Sequence, residues 1–165
     1  MKKLIVLLLA ITSLFGFMGC SDGSDGSDGF YSGSGSGVSY LDHPAFADYK
    51  SKKVTAIYEW VNNEISHYTM KKAFIFFEDN TYVLSDIEGL SKLEVDPEGK
   101  GTYTGDATKD GEIKIKETHM WSQDFSSTDT TKKWISHDWS ESYEGNSFNI
   151  VDGKFRPGAN VFTKK

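Results

Sequence analysis

The sequence predicts an all-β fold, an antiparallel meander of about eight or nine strands that closes into a small barrel. Short runs rich in β-branched and aromatic residues recur along the chain, and turn-forming residues separate them. No pattern typical of a long crossover helix lies between these runs, so a parallel sheet is not expected. A meander with this many strands removes its unpaired edges most simply by closing on itself.

The clearest strand is Glu112–Trp121. Ile113 and Ile115 fall on one face of this segment and Lys114 and Lys116 on the other, which is the period of a half-buried strand. The remaining strands are expected, in chain order, at Val54–Val61, Glu64–Met70, Ala73–Glu78, Thr81–Asp86, Lys100–Asp106, Lys133–Tyr143, Ser147–Asp152 and Ala159–Lys164. Tight turns are expected at Asp79-Asn80, Asp152-Gly153 and Pro157-Gly158, and one short helix over His43–Lys53.

The first twenty residues have the layout of a secretory signal peptide. Lys2 and Lys3 precede an apolar run, Leu4–Phe15, that is shorter than the ~20 residues of a spanning helix. Small residues then lead to Cys20, the only cysteine of the chain. Gly19 and Cys20 resemble the lipobox of bacterial lipoproteins. The resemblance implies cleavage after residue 19, acylation of Cys20 and anchoring in a membrane. A plain secreted protein and an uncleaved anchor helix are the alternatives.

Residues 20–40 are expected to form a flexible, lipidated linker. Ser21–Gly29 repeats Ser-Asp-Gly three times and Ser32–Gly37 repeats Ser-Gly three times, so this segment has little to bury. A tether of about 17 residues typically reaches roughly 20–25 Å. Ser21 and Asp22 after the cysteine indicate the outer membrane of a bacterial cell envelope. The predicted domains are therefore a signal peptide over 1–19, the linker over 20–40 and a barrel domain over 41–165.

Charge and motifs exclude several classes of function. Removing Lys2 and Lys3 from the 18 basic residues leaves 16 against 24 acidic ones, a net charge of −8. Such a chain is not expected to bind nucleic acid or to dock electrostatically on a membrane, so the lipid on Cys20 is the predicted membrane contact. The sequence contains no HExxH motif, and its Gly-x-Ser-x-Gly match at residues 19–23 falls in the predicted lipobox and linker, not between a strand and a helix as a nucleophile elbow requires. We expect no catalytic residues, no enzymatic activity and no cofactor.

Two segments raise the alternative of a metal site. Asp106–Glu117 matches most positions of an EF-hand loop, but strands rather than helices flank it, which favours a β-turn at Asp110-Gly111. His119 and His137 fall in predicted strands with carboxylates nearby, and such residues can bind zinc. Partly exposed strand histidines are the favoured interpretation, so no metal is expected.

Aromatic residues are the best lead to a ligand site. Phe, Trp and Tyr make up 14% of the chain. The candidate ligand-binding residues are Trp60, Trp121, Trp134 and Trp139. Trp134 and Trp139 are separated by an odd number of positions, so they are expected on opposite faces of one strand. Packing in the core is the alternative role for all four.

The strand rhythm resembles that of the lipocalin-like domains of bacterial lipoproteins. The resemblance is carried by "AFIFFEDNTYVLSD", "GKGTYTGDATKDGEIKI" and "GNSFNIVDGKFRPGANVFTKK" and spans about residues 54–164. The Gly-x-Trp motif that opens true lipocalins is absent, and Trp60 follows Tyr58-Glu59 instead. The resemblance implies an envelope module that binds a small apolar or amphipathic ligand. The alternative is a surface-displayed interaction or adhesion domain that binds a protein or glycan and whose barrel is filled.

Overall fold

The computed structural model describes residues 38–62, 68–90, 92–124, 126 and 128–165. Cys20, the predicted signal peptide and most of the predicted linker lie outside this range. No helix within the described ranges is long and apolar enough to cross a bilayer.

The described chain contains one 3-10 helix and nine strands. The helix spans Pro44–Tyr49. The strands are β1 (Val54–Asn62), β2 (Thr69–Phe77), β3 (Thr81–Gly89), β4 (Glu94–Gly105), β5 (Gly111–Gln123), β6 (Lys132–Ser136), β7 (Asn146–Val151), β8 (Lys154–Phe155) and β9 (Phe162–Lys164).

Antiparallel pairing closes eight of these strands into a barrel, which confirms the predicted fold class. The strand order is β4-β3-β2-β1-β9-β8-β7-β5, and β4 also pairs with β5 to complete the circle. The extra strand β6 pairs with the second half of β5, beyond the part that pairs with β7. β8 and β9 have only two and three residues, whereas β1 to β5 have nine to thirteen. The wall that these two strands form is therefore short.

Two predicted strands differ from the structure. The segment 133–143 is not one strand, because β6 ends at Ser136 and the chain then leaves the ladder. The separate strand predicted over 64–70 is also wrong in the part that the structure describes. Thr69 and Met70 are the first two residues of β2, which continues to Phe77. Residues 64–67 lie outside the described ranges.

An inner core fills the closed end of the barrel. Most of its members are side chains at alternate positions of a strand, which face the interior of the barrel. They are Ala56, Tyr58, Phe74, Phe76, Tyr82, Tyr103, Ala107, Ile113, Ile115, Ile150, Phe155 and Phe162. Phe76 and Phe155 are fully buried, and the ring of Phe155 also contacts Phe74 with centroids 5.0 Å apart. Full burial of such a side chain stabilises the fold by roughly 1.5–3 kcal/mol. This end of the barrel is therefore packed with rings.

A second, outer core covers the opposite face of β1 to β3. It contains Tyr40, Leu41, Phe46, Ile57, Ala73, Ile75, Phe77, Val83 and Ile87. The N-terminal segment, residues 38–50, supplies the cover, and its Phe46 is fully buried against Trp134. Tyr40 is also buried, so packing of the fold begins within the last residues of the predicted linker. This two-sided burial explains why 73–77 is an unbroken apolar run.

A buried carboxylate ties the N-terminal segment to the end of β9. The Tyr40 hydroxyl donates to Glu59 Oε1 at 2.7 Å, and Lys165 Nζ lies 2.7 Å from Glu59 Oε2. Burial, and then the bond to Glu59, raise the pKa of Tyr40. The backbone N–H of Lys165 donates to the carbonyl of Ile57 at 3.0 Å. One carboxylate on β1 therefore joins residues that are far apart in the chain.

Candidate functional site

The site begins with an interruption in the strand beside β5. Ser136 at the end of β6 pairs with His119, and Asn146 at the start of β7 pairs with Ile115. The intervening 137–145 loop thus lies opposite only residues 116–118 of β5, and most of it must leave the ladder. The backbone N–H of His137 still donates to the Thr118 carbonyl at 2.9 Å. The extra residues are therefore anchored to the barrel wall at both ends.

Three rings of the 137–145 loop form a stack. The His137 and Trp139 centroids are 4.9 Å apart, and the Trp139 and Tyr143 centroids are 4.3 Å apart, both in stacked geometry. The indole N–H of Trp139 donates to the backbone carbonyl of Glu117 at 2.5 Å. This bond replaces a strand-to-strand contact that the loop gives up, so Trp139 is held by ring stacking and by its polar edge.

Beside the stack is an open cavity of about 290 Å³, which we call the aromatic cleft. Its lining combines five aromatic rings with two aliphatic side chains and three polar groups: Phe74, Tyr82, Leu84, Ile115, Glu117, His137, Trp139, Tyr143, Asn146 and Phe148. Phe74, Tyr82 and Ile115 belong to the inner core, so the cleft continues that core toward solvent. It is a half-open apolar pocket with polar groups along one side.

Glu117 supplies the carboxylate of the cleft. Its Oε1 lies 2.6 Å from His137 Nε2, and its side chain is 36% exposed. A Cβ on Gly99 of β4 would be only 2.4 Å from Glu117 Oε2, so the carboxylate as placed occupies the space that this glycine leaves open. Burial and then Glu117 raise the pKa of Tyr82 on the cleft floor. From the sequence, Glu117 is only an alternative metal ligand and is not among the predicted ligand-binding residues, although a glycine inside a strand is a signal of close approach.

A buried charge cluster lies next to the cleft on the inner face. Lys72 and Asp86 are cross-strand partners, each two residues from a cleft residue, Phe74 or Leu84. Lys72 Nζ is 3.4 Å from Asp86 Oδ2 and also pairs with Glu98, which is the extra residue of a bulge in β4. Asp86 is 7% exposed, and its Oδ1 has no hydrogen-bond partner among the described residues. Burial, and then the charge of Glu98, raise the pKa of Asp86 to about 8.

The four predicted tryptophans lie in different places. Trp139 lines the cleft, and Trp60 is half-buried against the inner core without lining the cleft. Trp134 and Trp121 pack against each other outside the barrel, with centroids 5.1 Å apart. Trp134 packs against the outer core, and the prediction that it and Trp139 lie on opposite faces of one strand does not hold, because β6 ends at Ser136, before Trp139.

A larger and more polar groove runs along the outside. It has a volume of about 730 Å³ and lies between the N-terminal segment and the β3–β4 hairpin. Trp121 is its aromatic residue and contacts the His43 ring at 5.3 Å. Its other lining residues are mainly charged or aliphatic: Val38, Asp42, Pro44, Glu88, Lys92, Leu93, Glu94, Val95, Asp96 and Lys132. Acidic residues outnumber lysines in this lining, so it is less suited to an apolar ligand than the cleft.

The segments considered for metals are engaged in other contacts. The Asp106 carboxylate accepts from the backbone and hydroxyl of Thr108, at 2.9 and 2.6 Å, and Asp110 accepts from the backbone of Gly153 at 3.1 Å. These bonds shape the turn between β4 and β5. Within the described ranges, no cluster of three or more His, Cys, Asp or Glu side chains is arranged to hold a metal ion.

No protein-family model matches this chain, and no curated protein or solved structure matches it either.

Proposed function

We propose that this protein is a lipid-anchored envelope protein whose barrel binds a small amphipathic ligand in the aromatic cleft. The observation that supports this function best is the composition of the cleft, in which five rings face a cavity edged by Glu117, His137 and Asn146. Small-molecule sites are mostly apolar and carry a few polar groups that orient the ligand. The proposed role is binding and involves no chemical step.

The size of the cleft limits the ligand. Typical ligand pockets measure roughly 300–1,000 Å³, and the cleft, at about 290 Å³, lies just below that range. It cannot deepen into the barrel, because Phe76 and Phe155 are fully buried beneath it. We therefore propose a ligand about as large as one or two fused rings, not a long acyl chain.

The membrane anchor is part of the same proposal. It rests on the resemblance of Gly19 and Cys20 to a lipobox and on the Ser-Asp-Gly repeat that follows. One acyl chain binds a bilayer reversibly, whereas two or three hold a protein stably. An anchored barrel would keep its ligand at the membrane surface of the bacterial envelope, and Ser21 and Asp22 support outer-membrane sorting.

The ligand-binding part is tested with the chain 20–165 carrying Cys20→Ser, which contains every described strand. Isothermal titration calorimetry with 2-naphthol, an uncharged amphiphile, should show saturable binding. Trp139→Ala should weaken that binding at least about tenfold, because a ring is lost from the wall. Trp121→Ala removes the same side chain outside the barrel and should leave the affinity unchanged. Absence of saturable binding, or equal effects of the two substitutions, would contradict the proposal.

The anchor is tested by expressing the full chain in a bacterial host with an alkyne-labelled fatty acid. The wild-type protein should take up label and sediment with membranes, while Cys20→Ala should do neither. Incorporation of label into Cys20→Ala, or its complete retention in membranes, would contradict lipidation at this residue.

A surface interaction domain is the second candidate function. The filled closed end favours it, together with Leu90, which is 70% exposed at the tip beside the outer groove. A partner bound there would be lost on Leu90→Asp or Trp121→Ala and kept on Trp139→Ala. Binding of the labelled domain and its variants is measured on intact cells and on a glycan array. If binding is lost on Trp139→Ala and kept on Leu90→Asp and Trp121→Ala, the outer groove is not the binding surface.

A further inference from the structure

We propose that the ligand of the aromatic cleft is a small organic cation, an amine or quaternary ammonium compound whose positive charge lies between the rings and Glu117. This inference rests on the proposed function and specifies the chemical class of its ligand. It follows from the charge of the lining, the nature of the rings and the charges around the cleft.

The lining carries one carboxylate and, among the described residues, no lysine or arginine. Within the described chain, His137 is the one side chain that donates a hydrogen bond to the Glu117 carboxylate, and it contacts Oε1. Oε2 points into the space beside Gly99. A carboxylate that is partly removed from water and only partly paired favours a positive ligand and disfavours an anionic one.

The rings provide the second half of a cation site. Aromatic faces attract ammonium groups through the ring quadrupole, and aromatic cages are a recurring way of binding quaternary ammonium ligands. Phe74, Tyr82, Trp139, Tyr143 and Phe148 line one cavity. The stack already has a cation near it, since Lys116 Nζ lies 6.0 Å from the centroid of Tyr143.

The neighbouring charge cluster does not oppose the same preference. Lys72 is shared by two carboxyl groups, Asp86 and Glu98, and the raised pKa of Asp86 leaves one lysine and one carboxylate charged at neutral pH, so the cluster has no net positive charge. It lies on the inner face one step beyond Phe74 and Leu84. Since Asp86 Oδ1 has no partner in the described chain, the inner face retains acceptor capacity on this side of the cleft. The Lys72 cluster therefore does not cancel the charge of Glu117.

The experiment compares two ligands of the same shape. Benzyltrimethylammonium and its uncharged isostere neopentylbenzene are titrated into residues 20–165 with Cys20→Ser, and binding is followed by calorimetry and tryptophan fluorescence. The cation should bind about tenfold more tightly than the isostere. Glu117→Gln, which keeps the size of the side chain, should abolish most of this preference. Because the preference is the ratio of two affinities of one protein, a general loss of binding by the variant does not change it.

Glu144→Gln is the matched control, because Glu144 is 79% exposed, pairs with Lys114 and lies outside the cleft. It should bind both compounds as the wild type does. Equal affinity of the wild type for the two compounds would overturn the cation inference and leave the cleft a binding site. The inference also fails if neither compound binds while 2-naphthol does. If 2-naphthol fails to bind as well, the proposed function fails with it.

Discussion

Asp86→Asn should stabilise this protein at high pH, although it removes one partner of an ion pair. The pKa of the Asp86 carboxyl is raised from 3.8 to about 8, by burial first and by Glu98 second. Between these values the folded state holds a proton that the unfolded state has released. Unfolding then releases a proton, so the free energy of unfolding falls as pH rises from about 4 to about 8.

The size of the effect follows from this difference. Each pH unit over which the two states differ by one proton changes the free energy of unfolding by about 1.4 kcal/mol. From pH 5 to pH 8 the loss due to Asp86 is therefore about 4 kcal/mol at most. Asparagine does not titrate and is close in shape to the neutral acid. We expect similar stability of variant and wild type at pH 5 and an advantage of about 2–4 kcal/mol for the variant at pH 9.

Urea unfolding followed by tryptophan fluorescence, repeated from pH 5 to pH 9, measures this difference. Asp96→Asn is the control, since Asp96 lies opposite Asp86 on β4 and pairs with Lys132 at 2.9 Å in an exposed position. It should change stability by at most about 1 kcal/mol. If Asp86→Asn destabilises the protein at pH 9, the carboxylate is ionised and its attraction to Lys72 outweighs the cost of burial, which would refute the reasoning.

Three further predictions concern stability and use the same unfolding assay. Tyr40→Phe removes a buried hydrogen bond to a carboxylate and should cost about 1.5–3 kcal/mol; a neutral result would mean that the N-terminal segment does not depend on this bond. Phe46→Ala empties a fully buried position of the outer core and should cost about 3–5 kcal/mol, whereas Val151→Ala, at a 58% exposed position, should stay within about 0.5 kcal/mol. Similar losses for the two would show that the N-terminal segment is not docked. Gly101→Ala would place a Cβ 2.1 Å from a backbone oxygen and should cost more than about 2 kcal/mol, while Gly158→Ala meets nothing within 4 Å. Equal stability of these two variants would contradict the close strand approach.

Alternation allowed the barrel to be predicted where one face of a strand is exposed. In β5, Ile113 and Ile115 alternate with Lys114 and Lys116, and the isoleucines are indeed in the inner core. β2 carries no such alternation, because both of its faces are buried. The apolar run indicates two-sided burial, but nothing local to it specifies which segment supplies the cover. That cover comes from residues 38–50. The segment makes a contact that is distant in sequence, and the periodicity of one strand does not predict such a contact.

The cleft was harder to predict for the same kind of reason. Residues 137–143 have a composition compatible with a strand, yet the 137–145 loop contains more residues than the facing part of β5 can pair. The register between two strands decides which residues stay paired and which form a loop. Because register involves both strands, the sequence of one segment does not specify it. Trp139 was among the predicted ligand residues, whereas Glu117 and the space left by Gly99 emerge only when β4 and β5 are placed side by side.

The contacts of Glu59 also bear on how the chain can be re-engineered. Because one carboxylate holds both Tyr40 and Lys165, the first and last parts of the described fold lie next to each other on β1. A short peptide could therefore join residue 165 to residue 38. A circular permutant made in this way, with new termini at the exposed turn near Asp79, should keep every strand pairing. In the anchored form proposed above, a reporter fused after Lys165 would begin beside the N-terminal segment that Tyr40 holds on β1.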